Sequence, residues 1–262
     1  MSQVFPATMI GFMGNNVLPA HLGELIRMYV LSRTYLLSKA SVLASIVLER
    51  VLDAIAITVL FAVTGLSLAL PKAYIAGGFI GGSAVTLAVI CLFLYVYRTE
   101  MFLSLWDRCC GFLPKRVHGK IAQMIRSGSR GLDTLRNPGV FVFLALFSVF
   151  HWALLALYIY LVFRAFSIDL PFSAALLVLC GNSVAAMIPS APGYWGVIQA
   201  VFTIALRPLG VPQESALAAS IYYLASQYVP TTLTGFIFMV HMGFHLGELK
   251  AGVEMETLND CP

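Results

Sequence analysis

The sequence predicts an all-α, polytopic membrane helix bundle in which two Gly/Pro-broken segments re-enter the bilayer as inverted repeats. Three observations carry this. Sixty per cent of the 262 residues are hydrophobic and only 11% are charged, against about 25% charged in an ordinary soluble domain. Several apolar stretches reach the ~20 residues that a helix needs to cross ~30 Å of hydrocarbon. Two further apolar stretches carry matching interruptions. Such a composition cannot cover a water-soluble globule, so soluble enzymes, nucleic-acid binders and disordered chains are excluded. Five irregularly spaced cysteines fit neither a disulfide framework nor a zinc module. No stretch alternates as a membrane strand would, so a β-barrel is excluded too.

The clean spans are Ser41–Leu70, Ala73–Tyr97 and Gly139–Phe163. Pro212–His245 is too long for one straight crossing, and Pro230 is expected to kink it. Val4–Val30 and Pro171–Leu206 are the interrupted ones. The start, Met1-Ser2-Gln3, lacks the positive region of a secretory signal. One membrane domain of residues 1–262 follows: a first half (4–97), a basic connection (98–136), a second half (137–247) and a polar tail (248–262).

Orientation comes from the placement of Lys and Arg. The connection holds Arg98, Arg108, Lys115, Arg116, Lys120, Arg126, Arg130 and Arg136, half of the sixteen basic residues, so it is expected on the cytoplasmic side. Arg27, Arg33 and Lys39 put the start of the Ser41 span on that side. Within the connection Phe102, Leu105, Trp106, Val117, Ile121, Met124 and Ile125 face away from the basic residues, the pattern of interfacial helix. It reads as a topology anchor on anionic headgroups, with specific lipid capture the functional alternative.

The first interruption runs Gly14-Asn15-Asn16-Val17-Leu18-Pro19-Ala20-His21-Leu22-Gly23-Glu24. The second runs Gly181-Asn182-Ser183-Val184 and then Ile188-Pro189-Ser190-Ala191-Pro192-Gly193-Tyr194-Trp195-Gly196. Both order Gly-Asn-x-Val, a proline, a glycine and an apolar helix. Backbone groups freed in hydrocarbon cost several kcal/mol each, so such breaks persist where protein or water satisfies them. Paired breaks in two halves point to a transporter's binding site at mid-membrane. Close packing of hairpins through small residues is the plainer alternative. Asn15 and Asn182, the matched polar residues, and Asn16 and Gln199 are expected at the cavity. The helix beginning near Tyr194 turns its positive end inward, with Ser190, Gly193 and Tyr194 placed to line an anion site.

Charges inside the apolar part complete the candidate site. Glu24 and Arg27 share a helix face, as do Glu49 and Asp53, with Arg50 three before Asp53. Each mid-membrane charge costs about 2.5–3.5 kcal/mol on insertion scales, so these groups are expected to face inward, near the cytoplasmic side, and pair. Either Arg27 and Arg50 attract a phosphate while Glu24, Glu49 and Asp53 orient them, or the five form a self-neutralised structural network. A helix starting at Val51, leaving Glu49 and Arg50 among headgroups, is the remaining option. His241, His245 and Glu248, at i, i+4 and i+7, read as interfacial rather than as a metal site. His151 reads as a packed helix residue.

Taken together, Asn16-x-x-Pro19-x-x-x-Gly23-Glu24-x-x-Arg27, Glu49-Arg50-x-x-Asp53 and Pro189-Ser190-Ala191-Pro192-Gly193-Tyr194-x-Gly196 resemble the flippase-like integral membrane family typified by the transmembrane region of lysylphosphatidylglycerol synthase. The resemblance covers roughly residues 10 to 240. It implies a prokaryotic cytoplasmic-membrane protein that moves lipids between leaflets and accompanies glycolipid or aminoacyl-lipid synthesis. Where that family often has Glu after the second Pro-Gly motif and a basic residue in the last long helix, this chain has Gln199 and Tyr222-Tyr223.

The expected activity is therefore a lipid flippase or transporter, non-enzymatic and without a cofactor. Its substrate would be a phosphate-bearing lipid or a glycolipid precursor. Its partners would be membrane lipids with anionic headgroups, and a lipid-modifying enzyme or glycosyltransferase docked on the basic connection; nucleic acid is not expected. The alternatives are an enzyme acting on lipid or polyprenyl-phosphate headgroups and a non-transporting anchor for a glycosyltransferase.

Overall fold

A computed structural model describes residues 4–18, 22–35, 37–68, 72–110, 115–186 and 192–249. All regular structure among them is helical: α1 (Val4–Val17), α2 (Gly23–Tyr35), α3 (Lys39–Ser67), α4 (Lys72–Tyr97), α5 (Thr99–Cys110), α6 (Lys115–Gly131), α7 (Pro138–Ala165), α8 (Phe172–Ala185), α9 (Val197–Leu206) and α10 (Gln213–His241). Short 3₁₀ turns lie at Asp133–Arg136, Pro192–Tyr194 and Arg207–Leu209.

Local chemistry explains the boundaries. Ser38 caps α3 by accepting from the Ser41 backbone N–H. Asn137 caps α7 by accepting from Gly139 N–H at 3.0 Å, and Pro138 fills the first helical position, where no N–H is needed. The second break holds left-handed backbone at Gly193 (φ 69°), Tyr194 (φ 61°) and Gly196 (φ 88°). Two glycines take that conformation freely; a tyrosine takes it at a steric cost.

Each interrupted stretch becomes a pair of short helices, α1–α2 and α8–α9. The longest members have 14 residues, about 21 Å at 1.5 Å per residue. Helix α3 touches α2, α4, α6, α7 and α8, while α1 lies against both α2 and α10. The Pro192–Tyr194 turn of the second pair packs on α1 of the first.

One apolar core joins α7, α8, α9 and α10 around Ala156, Ile159, Phe163, Leu179, Phe202 and Tyr223. Another joins α1, α2 and the start of α3 to the end of α10 around Ile10, Met13, Ile26, Val30, Val42 and Met239. The outer faces of α4 and α7 are apolar as well: Phe79 is 77% exposed and Phe143 66%. Ile75–Tyr97 and Pro138–Ala165 are long and apolar enough to cross a membrane. His151 lies on that outer face, edge-on to Trp152, and is exposed rather than packed.

The basic connection is a helical pair docked on the bundle, not a segment lying free of it. Ser41 Oγ donates to the Ser127 carbonyl at 2.9 Å, Tyr95 OH donates to the Ile125 carbonyl at 2.8 Å, and the Thr99 and Ser129 hydroxyls bond at 2.6 Å. Sequence periodicity cannot register such side-chain-to-backbone anchors.

Glycine sets the closest approach. A Cβ on Gly23 would run into the Gly11 carbonyl oxygen, and one on Gly235 would stand 2.6 Å from the Met9 carbonyl oxygen. Nothing lies within 4 Å of such an atom on Gly81. Gly23→Ala should therefore lower stability by about 2–3 kcal/mol through overpacking against backbone. Gly81→Ala should leave it unchanged or raise it by up to about 1 kcal/mol. Thermal unfolding of the two variants in one detergent checks the contrast.

Candidate functional site

The charged residues stand halfway along α3, because that helix begins at Lys39, a full twelve positions before Val51. Glu49, Arg50 and Asp53 thus belong to the helix interior rather than to its N-terminal end, and the option of a start at Val51 is overturned. Glu49 and Arg50 meet α2, and Asp53, one turn on, meets α7. Arg27 of α2 donates from Nη1 to Glu49 Oε2 at 2.7 Å. Arg50 pairs with Glu24, in the first turn of α2, and reaches Asp53 at 3.5 Å. Asp53 Oδ1 accepts from Trp152 Nε1 at 2.8 Å and from Ser148 Oγ at 3.2 Å, both on α7. Tyr194, from the second break, lies within electrostatic reach of Arg50 and Glu24. The network therefore ties α2, α3 and α7 together, with Tyr194 of the second broken segment nearby.

Its charge count decides its chemistry. Three carboxylates and two guanidiniums give a formal −1, and each guanidinium already has a carboxylate partner. The Arg27 Nε–H is buried without an acceptor. Arg50 has a half-exposed side chain (52%) and is the more accessible of the two, since Arg27 is 18% exposed.

Four other sequence candidates are occupied by the architecture. Asn15 Oδ1 accepts from the Gly23 backbone N–H at 2.8 Å, which bridges the first break and satisfies a helix-start donor. Asn16 Nδ2 donates to Thr231 Oγ1 at 3.1 Å and Thr232 Oγ1 at 2.9 Å, just past Pro230 on α10. Gln199 Oε1 accepts from Gly196 N–H at 2.7 Å and closes the start of α9. Gly193 is buried, and a Cβ there would stand 2.5 Å from the Tyr228 ring, whose hydroxyl donates to the Asn16 carbonyl at 3.4 Å. Ser190 lies outside the described residues, as do Pro19 and Pro189. Asn182 is buried on α8 and makes no aligned hydrogen bond to the ion network.

Sequence reasoning missed Ser148, Trp152, Thr231, Thr232 and Tyr228. Ser148 and Trp152 are one turn apart on α7, a spacing that places both on one face. That was the available signal for a polar patch opposite Asp53. Nothing local marks Thr231 and Thr232 as partners of Asn16.

An open cavity of about 410 Å³ lies elsewhere, between Arg33, Thr34, Met242, Gly243, Phe244 and Glu248. It holds the exposed Arg33–Glu248 pair, with the Arg33 guanidinium over the Tyr29 and Phe244 rings. None of the network residues lines it, so it is not the site.

The family model described as the lysylphosphatidylglycerol synthase transmembrane region matches residues 1–235, and the chain belongs to that family. A "UPF0104 membrane protein" of Methanothermobacter thermautotrophicus is 23% identical over 236 residues, covering 84% of this chain and 69% of that protein. No solved structure matches.

Two expected outcomes test the geometry. Arg27→Leu leaves Glu49 without its partner and should lower stability by about 1–3 kcal/mol, and adding Glu49→Leu should restore most of the loss. Thermal midpoints of the two singles and the double in detergent measure this. At the exposed Arg33–Glu248 pair, hydrogen bonding to Arg33 holds the Glu248 carboxyl below the usual carboxylate range. Its contribution is present above the pH at which a free glutamate titrates and is lost as pH falls through the lowered value. A midpoint-against-pH curve should therefore have a shallower acid limb in Glu248→Gln than in the wild type.

Proposed function

We propose that this chain, as a member of that membrane family, is a multi-pass lipid transporter of a prokaryotic cytoplasmic membrane. It would move a phosphate-bearing lipid or glycolipid precursor between leaflets and would not act as an enzyme. The observation that carries the reading is the meeting of the two broken segments. Helix α1 packs on the Pro192–Tyr194 turn, and Tyr194 lies within electrostatic range of Arg50 and Glu24. Helices of about 21 Å do not cross ~30 Å of hydrocarbon. In this reading each pair enters and returns, one from the cytoplasmic side and the other from outside, as an inverted repeat around a mid-membrane polar site.

The paired ions suggest how occupancy couples to movement. A lipid phosphate can take two parallel hydrogen bonds from one guanidinium. To do so at Arg50 it must displace Glu24. Glu24 belongs to α2 and Arg50 to α3, so that exchange loosens one broken pair from the central helix. A ligand that binds the loosened state better shifts the population toward it. The acyl chains stay in lipid while the headgroup passes through the protein. The exposed basic residues of α5 and α6, among them Arg126 and Arg130, fit contact with anionic headgroups of the cytoplasmic leaflet, or with a lipid-modifying enzyme seated there.

Proteoliposomes carrying fluorescent phospholipid provide the test. Wild type should translocate the lipid faster than protein-free vesicles, and Arg50→Ala and Arg27→Ala should each slow it by about tenfold or more, the effect of one lost charge-assisted bond. Equal rates in all three proteins would remove the ion network from the mechanism. A wild type no faster than bare vesicles would remove the transport reading.

A further inference from the structure

A second polar cluster lies between α7, α8 and α10, and it is uncharged. Tyr158 of α7 and Ser226 of α10 share a hydrogen bond between their hydroxyls. The Tyr158 and Tyr223 rings stand 5.5 Å apart, tilted by 31°. The Tyr223 hydroxyl lies beside the amides of Gln227 and Asn182. Asn182 itself is 8% exposed, and neither its Oδ1 nor its Nδ2 makes an aligned hydrogen bond. Ser183, its neighbour, is satisfied by the Leu179 carbonyl at 2.9 Å, and the analogous Asn15 is satisfied by Gly23. Of these three side chains, Asn182 is the one without such a partner.

The chemistry of an amide says what would satisfy it. Oδ1 needs a donor and Nδ2 needs an acceptor. A cation would pair with the oxygen and be repelled by the N–H₂ end; an anion would do the reverse. A hydroxyl is donor and acceptor at once, and two adjacent hydroxyls can serve both ends of one amide. The surrounding hydroxyls and aromatic faces match such a neutral, hydroxyl-bearing group and carry no charge to favour an ion. Nearly all buried polar atoms in folded proteins are paired, so a closed form with this amide unpaired is penalised, and a ligand that pairs both ends favours closure.

We propose that Asn182 recognises a vicinal diol, of a sugar or of glycerol, in the headgroup of the transported lipid as α8 and α10 close on it. This rests on the transport reading and adds to it a specificity-determining residue and a chemical class. The diol would be held by the second half while a phosphate, where the lipid has one, exchanges onto Arg50.

The test is lipid retention by the purified full chain, measured by native mass spectrometry and by thermal shift. One probe pair is hexosyl-diacylglycerol against the same diacylglycerol. The other is phosphatidylglycerol against phosphatidylethanolamine with the same acyl chains. Wild type should prefer the diol-bearing member by roughly tenfold in at least one pair, the size of effect that two modest hydrogen bonds give. Preference in the hexosyl pair alone names a sugar, in the phosphatidyl pair alone glycerol, and in neither overturns the proposal. Asn182→Leu should lose the preference, while its lipid-free thermal midpoint stays equal to or above that of wild type. A lower midpoint would mean that the amide is bonded within the fold and overturns the assignment. Tyr223→Phe, which keeps the ring and removes the hydroxyl beside Asn182, should weaken the preference several-fold; preference unchanged in both variants overturns it as well. Retention does not require movement, so preference without vesicle translocation sinks the transport reading alone, and translocation without preference sinks this inference alone.

Discussion

Three charged side chains halfway along α3 and two near the start of α2 must neutralise one another inside an apolar bundle, and the arrangement of the rest follows from that requirement. Each costs about 2.5–3.5 kcal/mol to insert at mid-membrane depth, a total on the order of the whole stability of a small domain. Glu49 and Arg50 are adjacent on α3 and opposite in charge, so each needs its own counter-ion. Helix α2 supplies Arg27 to one and Glu24 to the other. Asp53, one turn further on, draws the indole of Trp152 and the hydroxyl of Ser148 from α7. These bonds fix which faces of α2, α3 and α7 turn inward. The faces left over are apolar and look outward, as Phe143 and Phe79 do.

The two broken segments meet the same constraint on the backbone in different ways. In the first, a side chain bridges the gap: Asn15 reaches over the turn to the first N–H of α2, and Gly11, Gly14 and Gly23 let the two short helices close on each other. In the second, Gln199 folds back on Gly196 while left-handed residues reverse the chain. The matched asparagines therefore have unlike fates. Asn15 is part of the scaffold, and Asn182 makes no aligned hydrogen bond. Similar letters at similar places do not make equivalent sites; the partner within reach decides.

That distinction sets how much of the molecule could be read from its sequence. Helix positions were legible because apolar runs and their Ser, Asn, Gly and Pro boundaries are local signals. The expected spans 41–70, 73–97 and 139–163 lie within about three residues of α3, α4 and α7. The pairing of Glu24, Arg27, Glu49, Arg50 and Asp53 was legible because charges at i, i+3 and i+4 share a face and cannot stay bare in hydrocarbon. Their depth was not, since a run from Lys39 through Arg50 can start a helix at several places and only tertiary packing chooses. The work of Asn16 was hidden for a different reason: its partners, Thr231 and Thr232, are more than two hundred residues away. The docking of α6 through the Ser127 carbonyl was hidden because every residue has a carbonyl.

A formal charge of −1 argues for recognition by contact rather than by field. The carboxylates cancel the long-range attraction that two arginines would otherwise exert, so a phosphate gains nothing until it touches a guanidinium and takes the place of a carboxylate. Such an exchange rewards geometry, because an Arg–phosphate pair is strong when two aligned bonds form and weak when they do not. It also keeps the unloaded protein intact, since both arginines have partners when no lipid is present. A site that held bare cations would bind any anion and would carry an uncompensated charge whenever it was empty. The paired network avoids both problems, and in the proposed transporter the helix that would give up its carboxylate is one of those that would have to move.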